Sequence, residues 1–142
     1  MRASLTIAAI LAFAIGSAVS AEPKRIDDPD KFTAGIMALV AKGGYADISK
    51  TIADIEDQPK SVEPLQKAFE KLEGKRTDYS DKVLDKKFGK ALRQIIYYTY
   101  VERTGFVYYR FNFKLTSHGW LLSNFGFKDE AEHLFPKDFV DQ

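Results

Sequence analysis

Few side chains in this sequence are suited to chemistry at neutral pH. Histidine is the commonest acid or base there, and the chain has two, His118 and His133. His118 lies in a predicted turn and His133 in a C-terminal tail, so neither position reads as an interior. Between Leu92 and Phe127 the one acidic residue is Glu102, at a predicted strand end. Asp47, Asp54 and Asp57 fall on or beside helical segments and could reach the mouth of a pocket as carboxylate bases. A charged outer helix face accounts for them more simply. With no cysteine there is no thiol nucleophile, disulfide or thiolate metal site. Two isolated histidines do not make a structural zinc site. No HExxH, GxSxG, phosphate-loop or EF-hand pattern occurs. The residues predict no catalytic set, no metal and no cofactor.

The elements that would position any site are easier to read. Three aromatic-rich segments lie end to end, LRQIIYYTYVE, FVYYRFNFKL and GWLLSNFGF, separated by RTG and TSH. Tyr, Phe, Ile and Val at this density favour pleated, half-buried strands, and Gly105 and Gly119 mark the reversals. Connections this short make the strands antiparallel, because a parallel return needs a crossover of about a dozen residues or more.

Helices precede the strands. Asp28-Pro29 supplies an N-cap and a first-turn proline, and Phe32, Ile36, Leu39 and Val40 share one face before Gly43-Gly44. A second helix starts near Tyr45, carries Ile48, Ile52 and Ile55 on one face, and stops before Pro59. A third opens around Ser61–Pro64, is expected to bury Leu65, Ala68, Phe69 and Leu72, and ends at Gly74. The lysine-rich stretch 79–88 reads as an edge strand, since Lys protects exposed edges, with a fourth helix as the competing reading. Residues 130–142 read as a tail anchored by Leu134, Phe135 and Phe139.

The N-terminus reads as an export signal. Arg2 is followed by the uncharged apolar run Leu5–Ile15, Gly16, and small residues at Val19-Ser20-Ala21. The run is shorter than the roughly 20 residues of a membrane span. Residues 1–21 are therefore expected to be cleaved, leaving a periplasmic or secreted domain over 22–142, without stable membrane insertion. The leader holds one of the 21 basic residues and none of the 20 acidic ones, so the remainder carries 20 of each and is formally neutral. That balance argues against nucleic acid, whose partners carry a basic stripe, and against an anionic membrane surface.

Strand parity indicates where a site could lie. If Arg103-Thr104-Gly105 is a three-residue loop, even residues pair with even ones. One face then carries Ile95, Tyr97, Val101, Val107, Tyr109, Phe111, Phe113 and Leu115, and is the core. The other carries Gln94, Tyr98, Tyr100, Tyr108, Arg110, Asn112 and Lys114, either a solvated face or an interface rich in Tyr and Arg. For the last strand, a three-residue loop Ser117-His118-Gly119 puts Leu121, Phe125 and Phe127 on the core face. Trp120, Leu122 and Asn124 then join the second face. A two- or four-residue loop exchanges the two sets, and Trp120 as a core residue is the alternative. The expected ligand or interface residues are Tyr98, Tyr100, Tyr108, Arg110, Asn112 and Trp120.

Three helices followed by an antiparallel meander, with KGGYADISKTI, Val107-Tyr108-Tyr109-Arg110-Phe111, Gly119-Trp120-Leu121-Leu122 and Asn124-Phe125-Gly126-Phe127, resemble the nuclear transport factor 2-like (cystatin-like) α+β superfamily. The chain is similar in pattern to small exported members with no assigned activity. The resemblance implies a curved sheet wrapped around helices as a cone-shaped roll, a pocket for a small apolar ligand, and homodimerisation through the sheet. It implies no reaction, because the superfamily includes enzymes, binders and structural modules. The expected role is a non-catalytic exported binding or interaction module. The rival is a cone-fold enzyme of dehydratase or isomerase type, which would place a His or Asp inside the cone.

Overall fold

The computed structural model describes residues 24–55 and 62–128. The expected leader, Pro59, His133 and the tail anchors Leu134, Phe135 and Phe139 lie outside them. Among the described residues are α1 (Pro29–Ala41), α2 (Tyr45–Ile55), α3 (Val62–Glu70), β1 (Thr77–Phe88), β2 (Leu92–Val101), β3 (Gly105–Thr116) and β4 (Gly119–Lys128). The strands form one open antiparallel sheet in the order β1-β2-β3-β4. The class is α+β, and 79–88 is a strand. None of these helices is long and apolar enough to cross a membrane.

Local chemistry sets the helix ends. Asp28 caps α1, its carboxylate accepting from the backbone N–H of Asp30 at 2.9 Å and of Lys31 at 3.3 Å. Pro29 follows in the first turn, where its missing N–H costs nothing. Gly43 at φ 71° ends the helix, a left-handed conformation that glycine adopts without steric penalty.

The core lies between the helices and one face of the sheet. Ile36, Val40, Tyr45, Ile48, Ile52 and Phe69 from the helices meet Ile95, Tyr109, Phe111, Phe113, Leu122 and Phe125 from the strands. Phe111 is fully buried at the centre, with Phe32, Tyr97, Phe113 and Phe125 within 6.4 Å ring to ring. The helices also pack on each other, Tyr45 lying 5.3 Å from Phe69. Leu65 and Ala68, expected in the core, are half-buried, so part of the apolar face of α3 stays open.

Register departs from expectation at both hairpins. The β2–β3 loop is Glu102-Arg103-Thr104, closed by Val101 opposite Gly105, one residue earlier than expected. Arg103 at φ 60° and Gly105 at φ 96° make the reversal. Parity is unchanged, and the odd residues of β2 and β3 do face the helices. Leu115 is a correction: at the end of β3 it is exposed. The β3–β4 loop has two residues, Ser117-His118, with Thr116 opposite Gly119. Leu115 therefore pairs with Trp120 and Phe113 with Leu122, turning Trp120 and Leu122 to the core and Leu121 away from it. Between Asn112 and Phe113 the register shifts, Ser123 being the extra residue. This bulge returns Phe125 and Phe127 to the helix side. The three-residue loop is thus wrong for the first half of β4, while its expected faces hold for Asn124, Phe125 and Phe127.

Both sheet edges are guarded. β1 carries extra residues at Asp78 and Val83, and bulges with inward charges discourage edge pairing. Its Lys82 and Asp85 point toward the helices, where they join Arg93 of β2 and Asp30 of α1 in one ion-pair network. At the other edge Ile26 bridges Trp120 through backbone hydrogen bonds of 2.9 and 3.2 Å.

Candidate interaction site

Alternation along β2 and β3 fixes a second sheet face, turned from the helices. The cross-strand pairs Tyr98–Tyr108, Tyr100–Phe106, Ile96–Arg110 and Gln94–Asn112 all lie on it. Five of the six expected residues are therefore brought together: Tyr98, Tyr100, Tyr108, Arg110 and Asn112. Trp120 is the exception, because the two-residue loop turns it to the core side.

This face has two characters. Its middle is polar and internally paired. The Gln94 amide donates to Asn112 Oδ1 at 2.9 Å, and Arg110 Nη2 donates to Asn124 Oδ1 at 3.2 Å. Arg110 Nε is buried without a partner among the described residues. Ile96 and Leu121, on the same face, are buried too. At the end beside the β2–β3 loop the face becomes aromatic and open. Tyr79 is 53% exposed, Phe106 49% and Tyr100 42%. Ring centroids are 5.6 Å apart for Tyr79–Tyr98, 5.8 Å for Tyr98–Phe106 and 5.4 Å for Tyr100–Phe106. The Tyr79 phenol beside it, with some desolvation, raises the Tyr98 hydroxyl above the usual tyrosine range.

Sequence reasoning missed two members of this cluster. Phe106 has the same parity as Tyr108 and was legible from it. Tyr79 was not, because its alignment with Tyr100 depends on the extra residue at Asp78.

The interior offers little room for chemistry. Aromatic rings fill it, Phe69 stacking on Phe127 at 4.5 Å and Tyr109 on Phe127 at 5.9 Å. The hydroxyls of Tyr45 and Tyr109 are buried with no hydrogen-bond partner among the described residues. Burial, reinforced by the nearby Tyr45 phenol, holds the Tyr109 hydroxyl well above its ordinary pKa, so it stays protonated. His118 is exposed in the Ser117-His118 loop, its Nδ1 2.9 Å from Ser117 Oγ. Among the described residues no three His, Asp or Glu side chains converge on a point that could hold a metal ion.

A separate cleft of about 560 Å³ opens between α3 and the ends of β3 and β4. Pro64, Leu65, Ala68 and Leu72 form one wall, and Val107 and Phe127 the other, with Lys71 and Lys75 at its rim.

Comparison with known proteins gives no matching family model and no similar curated protein.

Proposed function

We propose that the protein is an exported, non-catalytic binding module that pairs with a second copy of itself through the aromatic end of its outer sheet face. The observation that carries the reading is the cluster Tyr79, Tyr98, Tyr100 and Phe106, four adjoining rings with three of them about half exposed. Contiguous exposed aromatics are costly to hydrate and mark interaction surfaces. The aromatic end anchors the contact, and the whole outer face around it, four strands about 4.8 Å apart with about ten residues each at about 3.3 Å, spans roughly 600 Å² in projection. That approaches the roughly 800 Å² per partner of a standard interface. The bulged, lysine-bearing β1 edge disfavours edge-to-edge pairing, leaving face-to-face packing as the available mode.

The superfamily reading belongs to the same proposal. Helices on one face of an antiparallel meander support a nuclear transport factor 2-like roll, and three bulges supply the strand bending that a cone requires. The apolar run Leu5–Ile15 ahead of Val19-Ser20-Ala21 supports export. The aromatic filling of the interior and the surface position of His118 speak for a binding module over a dehydratase or isomerase.

Because the chain has no cysteine, a single introduced thiol reports contacts between copies. Phe106→Cys should give a disulfide-linked dimer on mild oxidation. The control Ala38→Cys, on the exposed side of α1, should not. Equal cross-linking from both positions, or none from Phe106→Cys at high micromolar concentration, would remove the proposed interface.

A further inference from the structure

The helix α3 leaves its apolar stripe half covered, and the uncovered half is a built concavity. Leu65 and Ala68 lie one turn apart along it, with buried Leu72 just past its end, and they face Val107 and Phe127 across the cleft of about 560 Å³. That volume falls within the range of small-ligand pockets. Phe127 is held in place by stacking on Phe69 at 4.5 Å and 8°, so the floor is rigid.

The rim is cationic. Lys71 and Lys75 stand at the mouth, and among the described residues no acidic side chain lines the cleft; Lys128, opposite Tyr108, turns its side chain to the outer face. Arg76, Lys82, Arg93 and Arg103 make their ion pairs away from this mouth. Lys75 Nζ donates to Thr104 Oγ1 at 2.8 Å, which fixes one ammonium at the mouth and leaves protons free for another acceptor. An apolar floor with a positive rim is complementary to a molecule that is apolar at one end and anionic at the other. A polyanion such as nucleic acid would leave the floor unfilled.

We infer that the cleft binds an amphipathic monocarboxylate, its hydrocarbon body against Leu65, Ala68 and Phe127 and its carboxylate between Lys71 and Lys75. The site lies apart from the outer face and rests only on the reading of the protein as a binding module, not on self-association.

Calorimetric titration of the exported chain with laurate, with dodecanol as the uncharged probe of equal length, tests the inference. Laurate should saturate one site and bind at least about tenfold tighter than dodecanol. The double variant Lys71→Gln/Lys75→Gln, which removes both ammonium groups from the mouth, should lose about tenfold in laurate affinity and leave dodecanol unchanged. Ala68→Phe should fill the cleft and abolish both, with the helical circular dichroism retained. Phe106→Asp, on the opposite sheet face, should bind laurate as the wild type does. No saturable laurate binding, equal affinity in the double variant, or binding only after residues 129–142 are deleted, which would make the chain's own tail the occupant, would each overturn it.

Discussion

Arg93 on β2 grips Asp85 on β1 at two points, Nε to Oδ1 at 2.9 Å and Nη2 to Oδ2 at 2.6 Å. The same guanidinium reaches Asp30 in the first turn of α1 at 2.8 Å, and Lys82 bonds Asp30 at 2.9 Å. An edge strand, its neighbour and a helix are thereby joined by one side chain whose own exposure is only 11%. Planar two-point pairing is what Arg provides and Lys does not.

The network makes stability depend on acid. Lys82 first and then Arg93 hold the Asp30 carboxyl below its ordinary range, and Arg93 chiefly does so for Asp85. Carboxyls depressed in the folded state stabilise it above their unfolded pKa of about 4 and lose that contribution as pH falls through the folded values. Arg93→Met should cost about 1–2 kcal/mol at pH 7, kept modest by the partial exposure of both carboxylates. The gap to wild type should narrow below about pH 4, as thermal melts across pH 2.5–7 will register.

Core packing sets a second expectation. Phe111→Ala should cost about 3–5 kcal/mol, because it empties the ring-lined centre of the core. His118→Ala, in an exposed loop, should change stability by less than about 0.5 kcal/mol. Denaturant melts of both variants separate the claims. A large loss with His118→Ala would mean that the loop histidine does more than decorate a turn.

The β3–β4 loop yields a third. Gly119 adopts φ 112°, where a side chain is strained even though the nearest atom to an added Cβ, the Ile26 carbonyl oxygen, is 3.7 Å away. Gly119→Ala should therefore cost about 1–3 kcal/mol from backbone strain alone. Urea titration with an unchanged slope would confirm that stability, not compactness, is affected.

Export makes a prediction of mass. Protein recovered from the periplasm or medium should begin at Glu22, and intact-mass spectrometry should find no species retaining Leu5–Ile15.

Much of this fold is legible in residues. Asp28-Pro29 announces α1, Gly105 and Gly119 mark the reversals, and alternation from Ile95 to Phe113 assigns two sheet faces before any coordinate is seen. What escaped in the strand register has a common physical origin: a single extra residue. Ser123 lets β4 change register midway, so Trp120 and Phe127 share a face that no uninterrupted alternation permits. Asp78 does the same for Tyr79. A bulge is a backbone event without a fixed side-chain signature, and Ser and Asp announce neither. The Asp30–Lys82–Asp85–Arg93 network was hidden for another reason, since its members lie up to 63 residues apart and look like ordinary surface charges. The cleft under α3 was hidden because amphipathic spacing says which residues want burial, not how far a neighbouring element will cover them.

Self-association through the outer face is the central claim, and sedimentation velocity on the exported chain tests it most directly. Wild-type protein at high micromolar concentration should sediment as a dimer, and Phe106→Asp, which places a charge among Tyr98, Tyr100 and Phe106's other neighbours, should sediment as a folded monomer. A wild type that remains monomeric across that range, or a Phe106→Asp variant that dimerises as well as the wild type, would contradict the account.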